Sequence, residues 1–134
     1  MTDDPVIFME HVRFSYDSAP VLEDVNLAIA EKELTWIVGP NGGGKTTLIK
    51  LILGLLHPSK GIIRVFGGTP ESARSRIGYM PQYTRFDPRF PISAREVVLM
   101  GRLGSGFKFG RFGRNDLRAA EEALEMVRLA EVRD

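Results

Sequence analysis

The 134-residue chain contains no cysteine and only two histidines. Without cysteine, disulfide bonds and thiolate metal sites are excluded within this chain, and a reducing compartment is compatible with it. The two histidines offer little to a transition metal. We expect His11 to lie on a strand surface and His57 near the C-terminal end of a helix, where the helix dipole favours a positive charge.

Long apolar runs are also missing. The longest, Leu48–Leu56, is interrupted by Lys50 and Gly54, and it is far shorter than the roughly 20 residues of a membrane span. Residues 1–5 are acidic and lack the basic and apolar regions of a signal peptide. We therefore expect a soluble chain that reaches a membrane only through a partner.

Neither sign of charge predominates, because 18 Lys and Arg residues face 17 Asp and Glu residues, for a formal charge of +1. This balance gives no general argument for binding nucleic acid or an anionic membrane. Apolar residues make up 43% and charged residues 26% of the chain, which is typical of a globular protein. The length fits one domain at most.

The first part of the chain shows strand patterns. Alternation of apolar and polar residues predicts half-exposed antiparallel strands at Ile7–Tyr16 and Val25–Ile29. Leu34–Val38 is a short, continuous apolar run, which predicts a strand covered on both faces, as in a parallel sheet. Two more short strands are predicted at Ile62–Phe66 and Ile77–Met80.

Helical patterns lie between and after these strands. Apolar residues occupy most of the circumference of Lys45–Leu56, which predicts a buried helix, and Pro70–Arg76 predicts a short one. From Ile92 onward the pattern is helical. Ser93 and Glu96 have the spacing of a capping box, and Asp116–Val132 carries apolar residues at helical spacing.

A glycine-rich segment lies between the predicted buried strand and the predicted buried helix. Gly39–Thr46 reads GPNGGGKT and fits the pattern G-x-x-x-x-G-K-[ST]. Its glycines leave the backbone bare, so that amides can surround a triphosphate, and the start of the helix adds unpaired amides and a positive dipole end. A plain turn before a core helix would need neither three adjacent glycines nor a lysine at that position.

The side chains of this loop have complementary roles. Lys45 supplies a charge that can bridge the β and γ phosphates, Thr46 offers a hydroxyl to Mg²⁺, and Thr47 can donate a hydrogen bond to the α phosphate. We therefore predict that Mg-ATP binds to a continuous segment, whose residues are Gly39, Pro40, Asn41, Gly42, Gly43, Gly44, Lys45, Thr46 and Thr47.

The segments around the loop carry a family resemblance. In chain order they read FSY at 14–16, VLEDVNLAI at 21–29, GPNGGGKTT at 39–47, PSKGIIRVFG at 58–67 and IGYMPQ at 77–82. In these segments the chain resembles the ATP-binding subunits of ABC transporters. Residues 86–104, FDPRFPISAREVVLMGRLG, are similar to the same region of zinc and manganese importers.

The resemblance implies an α/β fold. The expected fold is the P-loop NTPase core of an ABC ATPase with an antiparallel β subdomain and the start of a helical subdomain. Residues 1–91 would form the nucleotide-binding core, and residues 92–134 would begin the helical subdomain. It also implies that Tyr16 stacks on adenine and that Gln82, with Lys45, takes part in catalysis. Thr46 and Gln82 would then reach the Mg²⁺. From the residues alone, an edge-strand tyrosine and an ordinary loop glutamine remain open alternatives.

Partners and location follow from the same resemblance. It implies an integral-membrane permease, a second ATP-binding subunit in a homodimeric ATP sandwich and, indirectly, a solute-binding protein. The protein would be cytoplasmic, on the inner face of the membrane, and would couple ATP hydrolysis to transport, with a divalent metal ion such as zinc or manganese as the expected substrate.

Three family segments are absent from the sequence. It contains no LSGGQ signature, no apolar strand ending in Asp-Glu (the Walker B segment) and no later switch histidine. We therefore expect a truncated chain that binds ATP with negligible turnover. We also expect that missing central strands leave an exposed sheet edge and apolar surface.

The sequence gives weaker support to other functions. Residues 102–114 interleave phenylalanines with Arg and Lys, a mixture that suits single-stranded nucleic acid. Because this is one short loop in a chain of almost balanced charge, nucleic acid is the less favoured partner. A GTPase would need a guanine-reading Asn/Thr-Lys-x-Asp segment, which is absent, and a small kinase would need a lid with catalytic arginines. A nucleotide-binding subunit with a structural role stays open.

Overall fold

The computed structural model describes residues 4–82, 91–103 and 112–129, which belong to two compact units. The first unit, within Met1–Gly78, contains five regular elements and a short 3-10 helix at Arg74–Arg76. The five are β1 (Ile7–Tyr16), β2 (Ala19–Ile29), α1 (Lys45–Ile52), β3 (Lys60–Val65) and α2 (Pro70–Ala73). The second unit, within Tyr79–Asp134, contains α3 (Ala94–Met100) and α4 (Arg114–Met126).

The strands form one antiparallel sheet in the order β2-β1-β3. Phe8 in the central strand pairs with Ala28 on one side and with Arg64 on the other. Met9, Val12 and Phe14 are buried, while the residues between them are mostly exposed. The predicted half-exposed antiparallel strands are therefore confirmed, and β2 begins earlier than predicted, at Ala19.

A bulge in β1 explains why Met9 and Val12, three residues apart, are both buried. The pairing register shifts at this point against both β2 and β3, and His11 adopts a positive φ of 49°. The backbone amide of His11 donates to Asn26 Oδ1 at 2.8 Å instead of to the ladder. One extra residue in the strand thus keeps the following apolar residues on the core face.

Helix α1 packs on the buried face of the sheet, with Leu51 and Ile52 in the same core cluster as Met9, Ile63 and Val65. The predicted helix extended to Leu56, but α1 ends at Ile52. Gly54, with a φ of +65°, reverses the chain. Because the helix stops here, Leu55 is 58% exposed instead of buried.

The carbonyl groups after α1 have a side-chain partner. Arg74 Nε donates to the carbonyl of Leu53 at 3.1 Å, and its terminal nitrogen donates to the carbonyl of Gly54. These bonds satisfy carbonyls that have no partner within the helix. They also tie the end of α1 to the segment that follows α2. The short helix predicted at Pro70–Arg76 is confirmed, but it consists of α2 followed directly by the 3-10 helix.

Two predicted strands do not form. Leu34–Val38 is irregular, and Leu34, Trp36 and Val38 are 78%, 79% and 89% exposed. Ile77–Met80 is irregular as well, and Met80 is 91% exposed. A strand is held by ladder hydrogen bonds to a neighbour, and the sheet described for residues 4–82 consists of β1, β2 and β3 only. The predicted doubly covered strands therefore lack partners in the described residues.

The second unit is a pair of helices. The predicted capping box is confirmed, because Ser93 N donates to Glu96 Oε2 at 2.8 Å and Glu96 N donates to Ser93 Oγ at 3.3 Å. Leu99 of α3 is buried, as are Ala120 and Leu124 of α4. The predicted second helix spanned Asp116–Val132, but α4 begins two residues earlier and already ends at Met126. Residues 130–134 lie outside the described part of the chain.

Helix α4 starts with a fixed carboxylate. Asp116 Oδ2 accepts the backbone N–H of Gly113 at 3.0 Å, and its Oδ1 accepts Arg102 Nε at 3.0 Å. The bond from Gly113 and then the bond from Arg102 lower the pKa of Asp116. Among the described residues, no helix has the length and apolar character needed to cross a membrane.

Candidate functional site

The predicted phosphate loop enters α1 through two glycines in the left-handed region. Gly42 and Gly44 both have a φ of +80°, a conformation that glycine adopts without steric cost. Gly44 also touches β2, since a Cβ there would lie 2.8 Å from Leu22 Cδ2 and 3.2 Å from the Val21 carbonyl oxygen. This support could not be predicted from the sequence, because no local pattern connects residues 21 and 22 with residue 44.

Gly43 completes a tight turn inside the loop. Its amide donates to the Pro40 carbonyl at 3.1 Å, and a Cβ at this position would lie 3.1 Å from the same oxygen. The three adjacent glycines thus have separate uses. Gly42 and Gly44 adopt positive φ, and Gly43 allows the chain to pass close to Pro40.

The start of α1 presents free backbone donors. The first helical bond runs from Leu48 N to the Gly44 carbonyl at 2.8 Å. In residues 4–82 no acceptor lies within hydrogen-bonding reach of the amides of Gly42, Gly44, Lys45 or Thr46. Such amides at a helix N-terminus form an anion site, because they combine directed donors with the positive end of the helix dipole.

The lysine side chain folds back over the loop. Lys45 Nζ donates to the Gly39 carbonyl at 2.7 Å and to the Pro40 carbonyl at 2.6 Å. An ammonium group is a compact charge on a flexible stem, so it can turn from these carbonyls to an anion that enters the loop. Bare amides and a neighbouring ammonium together fit a polyphosphate.

The two threonines differ in access. Thr46 is exposed, so its hydroxyl is free to meet a hydrated cation beside the phosphates. Thr47 is buried, with 7% of its surface exposed, which leaves only a small part of it available to a ligand. The predicted magnesium role of Thr46 and the predicted α-phosphate contact of Thr47 stay predictions.

Tyr16 lies at the end of β1 and is 44% exposed. Its ring meets that of Phe14 edge-on, with the centroids 4.8 Å apart and the planes at 84°. Phe14 is buried, so it anchors one side of Tyr16 while part of the tyrosine ring stays accessible for stacking. The proposed contact with adenine stays a prediction.

Gln82 is exposed and belongs to the second unit, whereas the phosphate loop belongs to the first. Its predicted contact with Mg²⁺ or with the attacking water stays a prediction. Most of the basic and aromatic segment considered for nucleic acid, residues 104–111, lies outside the described residues.

Both histidines lie on the surface. His11 is in β1, as predicted, but the prediction for His57 was wrong, because α1 ends at Ile52 and His57 is not at the end of a helix. His11 Nδ1 is 2.7 Å from Asp24 Oδ1, and His57 Nδ1 is 3.4 Å from Glu71 Oε1. Both imidazoles are largely exposed. Within the ranges that the structure describes, no group of three or more His, Asp and Glu side chains could hold a metal ion.

Comparison with known proteins adds three findings. The profile of the ABC transporter family matches residues 22–134. The manganese transport system ATP-binding protein MntB of Bacillus subtilis is 43% identical over 119 residues, which cover 89% of this chain and 48% of that protein. The zinc transport system ATP-binding protein TroB of Treponema pallidum is 41% identical over 119 residues, covering 89% of this chain and 45% of that protein.

A solved structure gives the same result. An inward-facing putative metal-chelate type ABC transporter aligns with a TM-score of 0.78 and 26% identity, over 98% of this chain and 48% of that one. The likeness confirms the predicted fold class, an ABC ATPase core with an antiparallel sheet and helices. The chain spans about half the length of the curated relatives it matches. Because the family profile covers more than half of its residues, the chain belongs to the ABC transporter family.

Proposed function

We propose that this chain is the Mg-ATP-binding part of an ABC transporter ATPase. The observation that carries the proposal is the loop before α1, where four amides have no acceptor in residues 4–82 and the Lys45 ammonium lies on the carbonyls of Gly39 and Pro40. Preorganised donors of this kind bind and stabilise phosphate charge. The proposal joins this geometry to the family, whose members use ATP.

Each residue of the site then has a task. The amides of Gly42, Gly44 and Lys45 orient the phosphate oxygens, and the Lys45 ammonium offsets charge on the β and γ phosphates. The exposed Thr46 hydroxyl is the proposed ligand of the cation in the first unit, and the accessible part of the Tyr16 ring stacks on the base. The role of Gln82, which belongs to the second unit, rests on the family resemblance alone. Mg²⁺ held at Thr46 would supply positive charge that offsets the negative charge of the phosphates.

The whole protein would couple this binding to transport of a divalent metal ion. The relatives are named as ATP-binding proteins of manganese and zinc transport systems, and this supports the substrate class. We propose a permease in the membrane as the direct partner and a second ATP-binding subunit facing the loop, with a solute-binding protein acting through the permease. Such a protein works at the cytoplasmic face of the membrane.

Lys45 is the residue on which binding depends most directly. We expect Lys45→Ala to weaken ATP binding by about 1.5–3 kcal/mol, because it removes a hydrogen bond to a charged group. Isothermal calorimetry with Mg-ATP measures the change. Lys50→Ala is the matched control, since Lys50 is an exposed lysine of the same helix and should leave the dissociation constant unchanged. Equal affinities of the Lys45 variant and the unmodified chain would contradict the proposal.

Turnover by the chain alone should be negligible. The sequence contains no LSGGQ segment and no apolar strand ending in Asp-Glu, so nothing in it supplies the cap over the nucleotide or a carboxylate to orient water. Phosphate transfer depends on such positioning. A phosphate-release assay on the purified chain checks this. Robust release that disappears in the Lys45→Ala variant would refute the expectation.

A further inference from the structure

We infer that Asn41 is a site of spontaneous deamidation in the nucleotide-free loop and that bound nucleotide protects it. The chain has three asparagines, at positions 26, 41 and 115, and only Asn41 is followed by glycine. Deamidation at such a pair requires the backbone nitrogen of the next residue to reach the asparagine side chain. Whether Asn41 reacts therefore depends on what surrounds its side chain and the Gly42 nitrogen in the folded chain.

In the described residues, no hydrogen bond or neighbouring atom blocks the approach. Asn41 and Gly42 are both exposed, and within the described residues the Asn41 side chain makes no hydrogen bond. The Gly42 amide likewise has no acceptor there, and the position that a Cβ of Gly42 would occupy has nothing within 4 Å. Glycine adds no side chain to hinder the attack.

The charge around the loop favours the same reaction. The Lys45 ammonium, hydrogen-bonded to the carbonyls of Gly39 and Pro40, places a positive charge beside the loop, and the N-terminal end of α1 adds its dipole. Both stabilise the negative charge that forms on the nitrogen and then on the side-chain oxygen during the attack.

The chemistry needs water and no other reactant. The Gly42 nitrogen loses its proton to solvent and attacks Cγ of Asn41, so that a C–N bond forms and closes a five-membered succinimide. The bond from Cγ to Nδ2 breaks, and Nδ2 leaves as ammonia after taking up a proton. Water then adds to one of the two ring carbonyls and opens the ring, which gives aspartate or isoaspartate without oxidation or reduction.

The other two asparagines lack these features. Asn26 lies in β2, where its Oδ1 accepts from His11 N at 2.8 Å and its Nδ2 donates to the Asp24 carbonyl at 3.0 Å. Asn115 lies in the first turn of α4, whose backbone is fixed by the helix. Their following residues, Leu27 and Asp116, carry side chains that hinder attack. They serve as internal controls.

Deamidation would disable the site described under the proposed function. It places a carboxylate in a loop that has to accept a triphosphate, and like charges repel across a few ångströms. The isoaspartate product also adds a methylene to the backbone, which misaligns the amides of the loop. We expect the product to bind ATP at least about tenfold more weakly.

Peptide mapping by mass spectrometry tests the modification itself. The chain is incubated at mildly alkaline pH, in native buffer and in urea, and the conversion of each asparagine amide to a carboxyl is followed over time. We expect Asn41 to convert in native buffer at a rate comparable to that in urea, while Asn26 and Asn115 stay intact. Conversion of Asn41 in urea but not in native buffer would show that the folded loop shelters it and would overturn the inference.

Protection of Asn41 by Mg-ATP and loss of ATP affinity after deamidation both rest on the proposed function. Each is therefore measured separately from deamidation itself. Saturating Mg-ATP should slow conversion of Asn41 at least about tenfold, since a ligand that holds the Gly42 amide prevents its attack. The Asn41→Asp variant should bind ATP at least about tenfold more weakly than the unmodified chain. Unchanged conversion with nucleotide bound would overturn the protection, and an unchanged affinity of Asn41→Asp would overturn the consequence. Calorimetry on freshly prepared, unconverted chain shows independently whether ATP binds at all.

Discussion

Among single residues, His11 combines an unusual backbone with an ion pair. It has a φ of 49° in the β1 bulge, and its partner Asp24 has a φ of 56°, a region that costs non-glycine residues free energy. The hydrogen bond between Nδ1 of His11 and Oδ1 of Asp24, at 2.7 Å, holds the two side chains across the strands. The hydrogen bond thus helps to stabilise the positive φ angles of His11 and Asp24 where β1 pairs with β2.

The same pair predicts a pH dependence. The hydrogen bond to Asp24 and then the charge of that carboxylate raise the pKa of His11 above its ordinary value, and partial desolvation of the ring opposes them. Glu10 and Arg13 have smaller effects that raise and lower the pKa, respectively. Because the folded state binds this proton more tightly, the stabilisation is fully present below the ordinary pKa of histidine. It is lost as the pH rises through the raised pKa.

An NMR titration of the His11 ring checks this expectation. In the unmodified chain the midpoint should lie above that of an unstructured histidine. Asp24→Asn keeps the size of the side chain and removes its charge, so the midpoint should move back down. A titration that is the same in both proteins would show that Asp24 is not the cause.

Among elements, β1 and β3 can pair only because one residue is glycine. Gly61 has a φ of +90°, and a Cβ there would lie 2.5 Å from the carbonyl oxygens of both Glu10 and His11. These oxygens belong to the bulge of the central strand and cannot move without breaking the sheet. We expect Gly61→Ala to lower the free energy of unfolding by about 3 kcal/mol or more, as measured by urea unfolding.

Gly67→Ala provides the matched control. Gly67 also has a positive φ, at +76°, but nothing lies within 4 Å of its Cβ position. This variant should therefore lose only the roughly 1–2 kcal/mol of a left-handed backbone. A loss equal to that of Gly61→Ala would mean that the backbone conformation, and not the close approach of the strands, determines the stability at Gly61.

The elements also show what a sequence can and cannot predict. The alternation in Ile7–Tyr16 and the pairing of Ser93 with Glu96 are local patterns, and both appear in the structure as expected. Leu34–Val38 has the composition of a buried strand, yet it is irregular and largely exposed. Composition favours a strand, but only a hydrogen-bonded neighbour creates one.

The candidate site also has one part that local sequence patterns identify and another part that they do not. The candidate phosphate loop occupies consecutive positions, so its spacing alone is enough to nominate the glycines, Lys45 and Thr46. The support of Gly44 by Leu22 comes from a distant strand and has no sequence signature. The roles of Tyr16 and Gln82 also depend on how separate parts of the chain approach a nucleotide, and they were drawn from the family resemblance.

At the scale of the whole molecule, the exposed apolar segment before the loop has a direct spectroscopic consequence. Trp36 is the only tryptophan of the chain and is 79% exposed. We expect its fluorescence to have the long-wavelength emission of an indole in water, to be quenched readily by iodide and to shift little when urea unfolds the chain. Blue-shifted emission that iodide does not quench would show instead that the segment is covered.

The hydrogen bonds of Lys45 bear on how much this side chain would contribute to phosphate binding. Its ammonium already has two good acceptors, the carbonyls of Gly39 and Pro40, so phosphate oxygens would replace those partners instead of meeting an unsolvated charge. The lysine then contributes an exchange of acceptors, whose net gain is the difference between two strong bonds. Removing Lys45 would also leave the carbonyls of Gly39 and Pro40 to water. The Lys45→Ala variant should therefore have a less ordered loop as well as a weaker affinity for ATP.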